Sequence, residues 1–175
     1  GGAFCGCKSL QSINIPNSVT KIFWCAFAEC SSLQSINIPN SVTEIEKCAF
    51  EGCESLQSID IPDSVTTIGD RAFCGCKSLQ SINIPDSVTE IGIHAFNGCI
   101  SLQSINIPDG LKMIDQTSIS GCIKLQKLEV SNKNRFYKST DGILYSKDAT
   151  TIVKIPEGKS LENFIINDSV TKIGE

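Results

Sequence analysis

The heptapeptide LQSINIP at residues 10–16 returns along the chain at a constant spacing. It recurs at 33–39, 79–85 and 102–108, as LQSIDIP at 56–62, and as a divergent LQKLEVS at 125–131. The leucines that open these copies lie 23 residues apart in every interval from Leu10 to Leu125. An unbroken period of this length indicates a series of like units, each building the same piece of structure.

The first five units carry the pattern Leu-x-x-Ile-x-Ile, and the repeat length falls within the roughly 20–29 residues that are typical of leucine-rich repeats. One unit cannot bury its apolar side chains alone, but stacked units form a continuous core. We call one unit a rung. The sequence therefore predicts a β-rich leucine-rich-repeat solenoid of roughly seven rungs, with strands about 4.8 Å apart.

Within a rung, the segment from Leu10 to Ile15 predicts a first short strand that ends at Pro16. Val19 and Ile22 predict a second short strand, and the A-F-x-G-C segment predicts a tight or 3-10 turn. A serine stands eight residues after each of the first four leucines, where its hydroxyl can bond to backbone at a bend. One apolar position is predicted to lie in the core and holds Phe4, Phe27, Phe50, Phe73, Phe96 and, in the next rung, Ile119.

The period breaks after Val130, because the next equivalent leucine, Leu161, follows Leu125 by 36 residues (161 − 125). The β-rich runs 143–145 and 151–153 flank a polar stretch at 146–149, which predicts an inserted β-hairpin near the C-terminus. We predict a single solenoid over 1–175, with regular repeats in 1–130, an irregular rung with the hairpin in 131–160, and a resumed repeat in 161–175. Both ends fall within a repeat, so we interpret the chain as part of a longer array.

Charge and composition argue against several functions. A net charge of −4 and a pI near 5.1 do not fit nucleic-acid binding. No apolar run reaches the roughly 18 residues needed to span a membrane, and this segment contains no signal-peptide pattern. The chain has one histidine and no G-x-S-x-G, H-E-x-x-H or phosphate-loop motif. We therefore expect no enzymatic activity, no cofactor and no membrane insertion of this segment.

Ten cysteines raise the question of metal binding or disulfides. Parallel side chains in a row do not converge on one point as zinc ligands must, so we predict buried free thiols at the shared position. That position holds Cys7, Cys30, Cys53, Cys76, Cys99 and Cys122. Cys25 and Cys48 share another position in adjacent rungs, about 5 Å apart, where two free thiols are favoured and a disulfide is the alternative.

The phrases SINIPDSVTEIG (81–92), AFxGCxSL and STDGILYSKDATTIVKIPEG (139–158) resemble the BspA-like leucine-rich repeat surface proteins. This resemblance implies a cell-surface or secreted protein of a host-associated microbe. It further implies an adhesin whose partner is a host matrix or plasma protein, or another microbial surface protein. The family has no catalytic residues to carry over to this chain.

Binding residues are expected at positions that differ between rungs. Gln, Ser and Asn recur at fixed positions and predict stacked rows on a strand face, whereas variable positions are predicted in loops facing water. The aromatic and basic candidates are Phe23 and Trp24, with Arg135, Phe136, Tyr137 and Tyr145 around the hairpin. Packing of Phe23 and Trp24 against a preceding rung, or against Gly1 and Gly2, is the alternative for the first pair.

We therefore predict a non-enzymatic extracellular protein-interaction module that acts as an adhesin. The alternative is a structural spacer, or stalk, that presents another domain. Phe4 and Ile173 are expected near uncovered apolar surface at the two ends, which predicts end-to-end or edge-to-edge self-association.

Overall fold

The backbone winds into a β-solenoid of about seven turns with almost no helix, in a computed structural model that describes residues 1–174. A 3-10 helix spans Gln116–Ile119. The strands in chain order are β1 (Ser12–Asn14), β2 (Lys21–Ile22), β3 (Ser35–Asn37), β4 (Glu44–Ile45), β5 (Ser58–Asp60), β6 (Thr67–Ile68), β7 (Ser81–Asn83), β8 (Glu90–Ile91), β9 (Ser104–Ile107), β10 (Lys127–Val130), β11 (Tyr137–Thr140), β12 (Ile143–Ser146), β13 (Thr151–Lys154) and β14 (Lys172–Ile173).

The first strand of each rung belongs to one parallel sheet of order β1-β3-β5-β7-β9-β10, the first sheet. Ser12 pairs with Ser35, and Ile13 with Ile36, so each rung is the previous one moved by one repeat. The isoleucine of each triplet points into the core, while the serine and asparagine beside it face outward in most rungs. The predicted solenoid and its in-register polar rows are confirmed.

The phenylalanines stack through the core. Neighbouring ring centroids from Phe4 to Phe96 are 5.2–5.5 Å apart, and the ring planes are within 7° of parallel. Phe50, Phe73 and Phe96 are fully buried. Offset stacking at this separation adds to the free energy gained by removing the rings from water.

The cysteines beside this stack are hydrogen-bonded between rungs. The Cys53 thiol donates to the carbonyl of Phe27 at 3.1 Å, and four other thiols make the same bond at 3.0–3.3 Å. The donors are Cys30, Cys53, Cys76, Cys99 and Cys122, and all are buried free thiols. Cys7 is exposed, so the prediction of six buried thiols is wrong at the first rung. Among the described rungs, none precedes that one to cover it.

The second strands form a parallel sheet of order β2-β4-β6-β8, the second sheet. Ser41, Ser64 and Ser87 do not bond locally at the bend; each donates to a valine carbonyl of the rung before, at 2.6–2.7 Å. The variable position of Lys21 and Glu44 lies on these strands. Its predicted placement in loops is therefore wrong, because this short segment pairs with its equivalents on either side.

The insert contains the predicted hairpin and one further strand. β12 and β13 pair antiparallel, and β11 pairs with the other edge of β12. β14 then pairs parallel to β13, which completes a third sheet of order β11-β12-β13-β14. In the expected resumed repeat, Phe164 and Val170 pack against a small core formed by Ile143, Tyr145 and Ile152. Ile166 and Ile173 are instead exposed.

Candidate protein-interaction surfaces

Phe23 and Trp24 follow β2 and remain more than half exposed, at 54% and 56%. A Cβ atom built on Gly1 would lie 2.5 Å from the Trp24 indole, so the indole rests directly on Gly1. The absence of a side chain on Gly1 leaves room for the Trp24 ring, so Trp24 does pack against this glycine. Even so, the outer halves of both aromatic side chains face water.

Charged side chains surround this aromatic pair. Lys21 Nζ lies 2.7 Å from Glu44 Oε2 and 3.8 Å from a Glu46 oxygen, while the Trp24 amide donates to Glu46 at 3.1 Å. The hydrogen bond to Glu44 raises the pKa of Lys21 above its ordinary value, so the ammonium stays charged. We call Lys21, Phe23, Trp24, Glu44 and Glu46 the second-sheet patch. It presents two aromatic rings beside one cation and two carboxylates.

The surface continues along the second sheet with a different side chain in each rung. The Trp24 position holds Lys47, Asp70 and Ile93 in the following three rungs, and Ile93 is 51% exposed. Asp70 accepts a hydrogen bond from the Ile93 amide at 2.8 Å, which fixes the edge of this surface. A row of unlike side chains on a fixed backbone is a surface that can distinguish partners.

The hairpin candidates lie elsewhere. β2 is at one end of the second sheet, whereas β11 belongs to the third sheet, so the two groups do not form one site. Arg135 and Phe136 are exposed next to the buried Asn134. The Asn134 side chain accepts from the amides of Phe136 and Tyr137 at 2.8 Å and donates to the Pro108 carbonyl at 2.9 Å. Sequence reasoning missed this anchor, because Asn134 looks like any other loop asparagine.

The two tyrosines have structural contacts. Tyr145 is 9% exposed and packs in the small core with Ile143 and Ile152. Its expected display to a partner does not fit this burial, since alternation along β12 points the ring into that core. Tyr137 is half-buried, and its hydroxyl contacts the backbone at Lys112 and Ile114. Of the aromatic candidates around the hairpin, Phe136 is therefore the one whose side chain is exposed, at 42%.

Within residues 1–174, no three His, Cys, Asp or Glu side chains are grouped so that they could hold a metal ion. The same residues include no helix long and apolar enough to cross a membrane. Cys25 and Cys48 are free thiols, and burial raises the pKa of Cys48 to about 12. Glu51 and Cys25, both beside the Cys48 thiol, add to that shift.

A stack of 23-residue rungs with a phenylalanine core and a polar strand face defines a leucine-rich repeat protein. The model of the BspA-type leucine-rich repeat region matches residues 1–126 and 66–175. The chain belongs to this family.

Solved structures of bacterial leucine-rich repeat proteins have the same fold. A leucine-rich repeat protein of T. pallidum is 40% identical over 72% of this chain and 59% of its own, with a TM-score of 0.70. One from Bacteroides ovatus is 34% identical over 99% of this chain and 48% of its own, with a TM-score of 0.71. The pneumococcal vaccine antigen PcpA is 25% identical over 94% of this chain and 41% of its own, with a TM-score of 0.80.

The chain thus spans about half the length of the solved structures it matches. No protein with a curated description matches it significantly.

Proposed function

We propose that this chain is an extracellular, non-enzymatic module that binds a protein partner in the manner of an adhesin. The observation that carries the proposal is the second-sheet patch, where two half-exposed aromatic rings stand beside paired charges on the variable side of the solenoid. Exposed Trp is a favoured anchor in protein interfaces, and the solenoid holds it on a rigid backbone. The partner class is a host matrix or plasma protein, or another microbial surface protein.

A surface or secreted location agrees with two of the solved relatives, one described as a leucine-rich cell surface protein and one as a vaccine antigen. Protease treatment of intact cells of the source organism tests this location. Loss of the chain's peptides from treated cells is expected, whereas full protection would contradict an external location.

Binding is tested with immobilised fibronectin, fibrinogen and collagen, with the chain in solution. We expect Trp24→Ala to weaken capture of a bound member of this panel by about 2 kcal/mol, a typical hot-spot cost. Ile123→Ala is the control, because Ile123 is 60% exposed and lies in the turn after Cys122, outside the second-sheet patch. Equal loss for both variants, or none for either, would remove the second-sheet patch as the binding site.

The spacer is the second candidate, and the uniform outer face of the first sheet favours it. Gln recurs at one exposed position in six rungs, and such a face repeats one chemistry along the stack. A spacer would bind none of the panel proteins and would keep its fold. That result would replace the adhesin proposal.

A further inference from the structure

A cleft of about 710 Å³ opens where the second sheet stops. One wall is the segment 113–117, and the other is the face of the third sheet that carries Ser146, Thr151 and Val153. The volume lies within the range of about 300–1,000 Å³ that is usual for ligand sites. No residue of the second-sheet patch lines this cleft.

The backbone pairing of the second sheet ends beside this cleft: β8 is its last strand, and residues 112–114 in the next rung belong to no strand. In the earlier rungs, the amides of Thr43, Thr66 and Thr89 each donate to the threonine carbonyl of the rung before, at 2.9–3.0 Å. Lys112 holds the next such position. Its carbonyl accepts from the Tyr137 hydroxyl at 3.3 Å, and the same hydroxyl accepts from the Ile114 amide at 3.2 Å.

Tyr137 lies 23 residues after Ile114, so it holds the repeat position that should have supplied the next strand. Its backbone instead leaves the stack and enters β11. The Lys112 carbonyl and the Ile114 amide, two residues apart, form the pattern that a strand edge offers to a neighbour. A single side-chain hydroxyl now serves both groups.

We propose that this cleft binds an extended peptide segment of the partner protein, which adds as a strand beside residues 112–114 and replaces the Tyr137 hydroxyl. Main-chain hydrogen bonds supply the attraction in this mode of recognition, and side-chain pockets supply the selectivity. The inference rests on the proposed protein-binding function and adds a second site, apart from the second-sheet patch, together with the form of its ligand.

The lining defines the chemistry of that peptide. Ile114 and Val153 offer apolar contact, and the hydroxyls of Ser146 and Thr151 offer hydrogen bonds. Among the lining residues within 1–174, Asp115 is the one that carries a charge. Hydrogen bonds from the Thr117 hydroxyl and amide lower its pKa, so the carboxylate is charged at neutral pH. A segment with small or β-branched residues and a Lys or Arg near Asp115 fits these walls.

The experiment selects linear peptides from a random phage-displayed library on the immobilised full chain and measures their affinities by calorimetry. Thr151→Trp places an indole in the cleft and should weaken the selected peptides about tenfold, because the ring occupies space that the peptide needs. Thr66→Trp is the matched control, because Thr66 is exposed on a regular rung outside the cleft. It should leave the affinity unchanged.

Two further measurements identify strand addition. Tyr137→Phe removes only the hydroxyl, so the freed backbone groups should bind the peptides as well as before or severalfold better. On the unaltered protein, hydrogen exchange of the Ile114 amide should slow when the peptide binds. This readout remains available even if Thr151→Trp lowers the melting temperature.

Peptides that bind Thr151→Trp as tightly as the unaltered chain, or leave Ile114 exchange unchanged, would overturn the inference. So would a library that yields no peptide. Capture by immobilised fibronectin, fibrinogen and collagen tests the adhesin proposal independently of the cleft. Fibronectin capture that depends on Trp24 and not on Thr151 would remove the cleft site and leave the adhesin function standing.

Discussion

Many side chains in this molecule contact the equivalent side chain of the neighbouring rung, and the phenylalanine stack is the clearest example. Phe50 contacts Phe27 and Phe73 on its two faces and has no exposed surface. Truncation of a buried Phe costs about 3–5 kcal/mol, because the cavity loses contacts from both neighbours. We expect this loss for Phe50→Ala in urea unfolding.

Glu51→Ala is the adjacent control. Glu51 bonds to the half-exposed Arg71 at 2.6 Å, and exposed pairs of this kind contribute about 0–1 kcal/mol. The core assignment therefore requires a large difference in unfolding midpoint between the two variants. Similar midpoints would contradict it.

At the scale of elements, the turn between β12 and β13 depends on one carboxylate. Asp148 accepts from the Ser146 hydroxyl at 2.6 Å and from the Thr150 amide and hydroxyl at 3.0 and 2.9 Å. These bonds lower its pKa to about 2, from an ordinary 3.8. The stabilisation is therefore present above about pH 3.8 and is lost as the pH falls through 2.

An NMR titration of the Asp148 carboxyl carbon should give a midpoint near 2. Asp148→Asn should remove the acid-dependent loosening of the turn, because it cannot titrate. A midpoint at the ordinary value would show that the carboxylate does not hold the turn.

Some strands and sheets of this fold are predictable from the sequence, and others are not. The period places the first sheet, the phenylalanine stack and the hairpin, because each depends on side chains that repeat or alternate. The extra strand β11 begins at Tyr137, and the contacts of Tyr137 and Asn134 join distant segments of the chain. Repeat positions carry no information about such contacts, so the cleft could not be predicted. The sequence leaves open whether Phe23 and Trp24 are displayed or packed, and in the structure Trp24 rests on Gly1 while both side chains stay more than half exposed. The sequence does not predict the burial of Tyr145.

The thiol row makes the stability of the whole molecule sensitive to alkali. Burial raises the pKa of Cys53 and Cys122 to about 12, and that of Cys76 and Cys99 well above 9.0. In the unfolded chain these thiols lose their protons near pH 9, whereas in the folded chain they keep them to higher pH. The free energy of unfolding should therefore fall as the pH rises from 9 towards 12. The free energy of unfolding at pH 8 and pH 10.5 measures this loss.

Alkylation gives an independent check of the same row. In the folded protein, maleimide should label the exposed Cys5 and Cys7 and spare the five hydrogen-bonded thiols until denaturant is added. Labelling of those five at the same rate as Cys5 would contradict their burial.

The first and last rungs of this 175-residue chain both expose apolar surface. The first rung leaves an apolar hollow of about 380 Å³, lined by Phe4, Ile13 and Phe27 among others, and β1 has an unpaired edge. At the other end, Ile165 and Ile173 are 89% and 67% exposed. We propose end-to-end or edge-to-edge contacts between copies, because both surfaces are apolar. Light scattering of this 175-residue chain should show mass rising with concentration; a constant monomer mass would contradict the proposal.

The rung-to-rung hydrogen bonds also give the molecule a mechanical character. These bonds run along the solenoid axis. A force that pulls the two ends apart therefore stretches each bond along its own direction, and one rung can separate before the next. Each rung contacts only its neighbours, and the stack should therefore peel from its ends under low tension, one rung at a time. Each released rung of 23 residues pays out roughly 75 Å of chain. A module of this kind would lengthen under tension in steps of one rung instead of unfolding all at once.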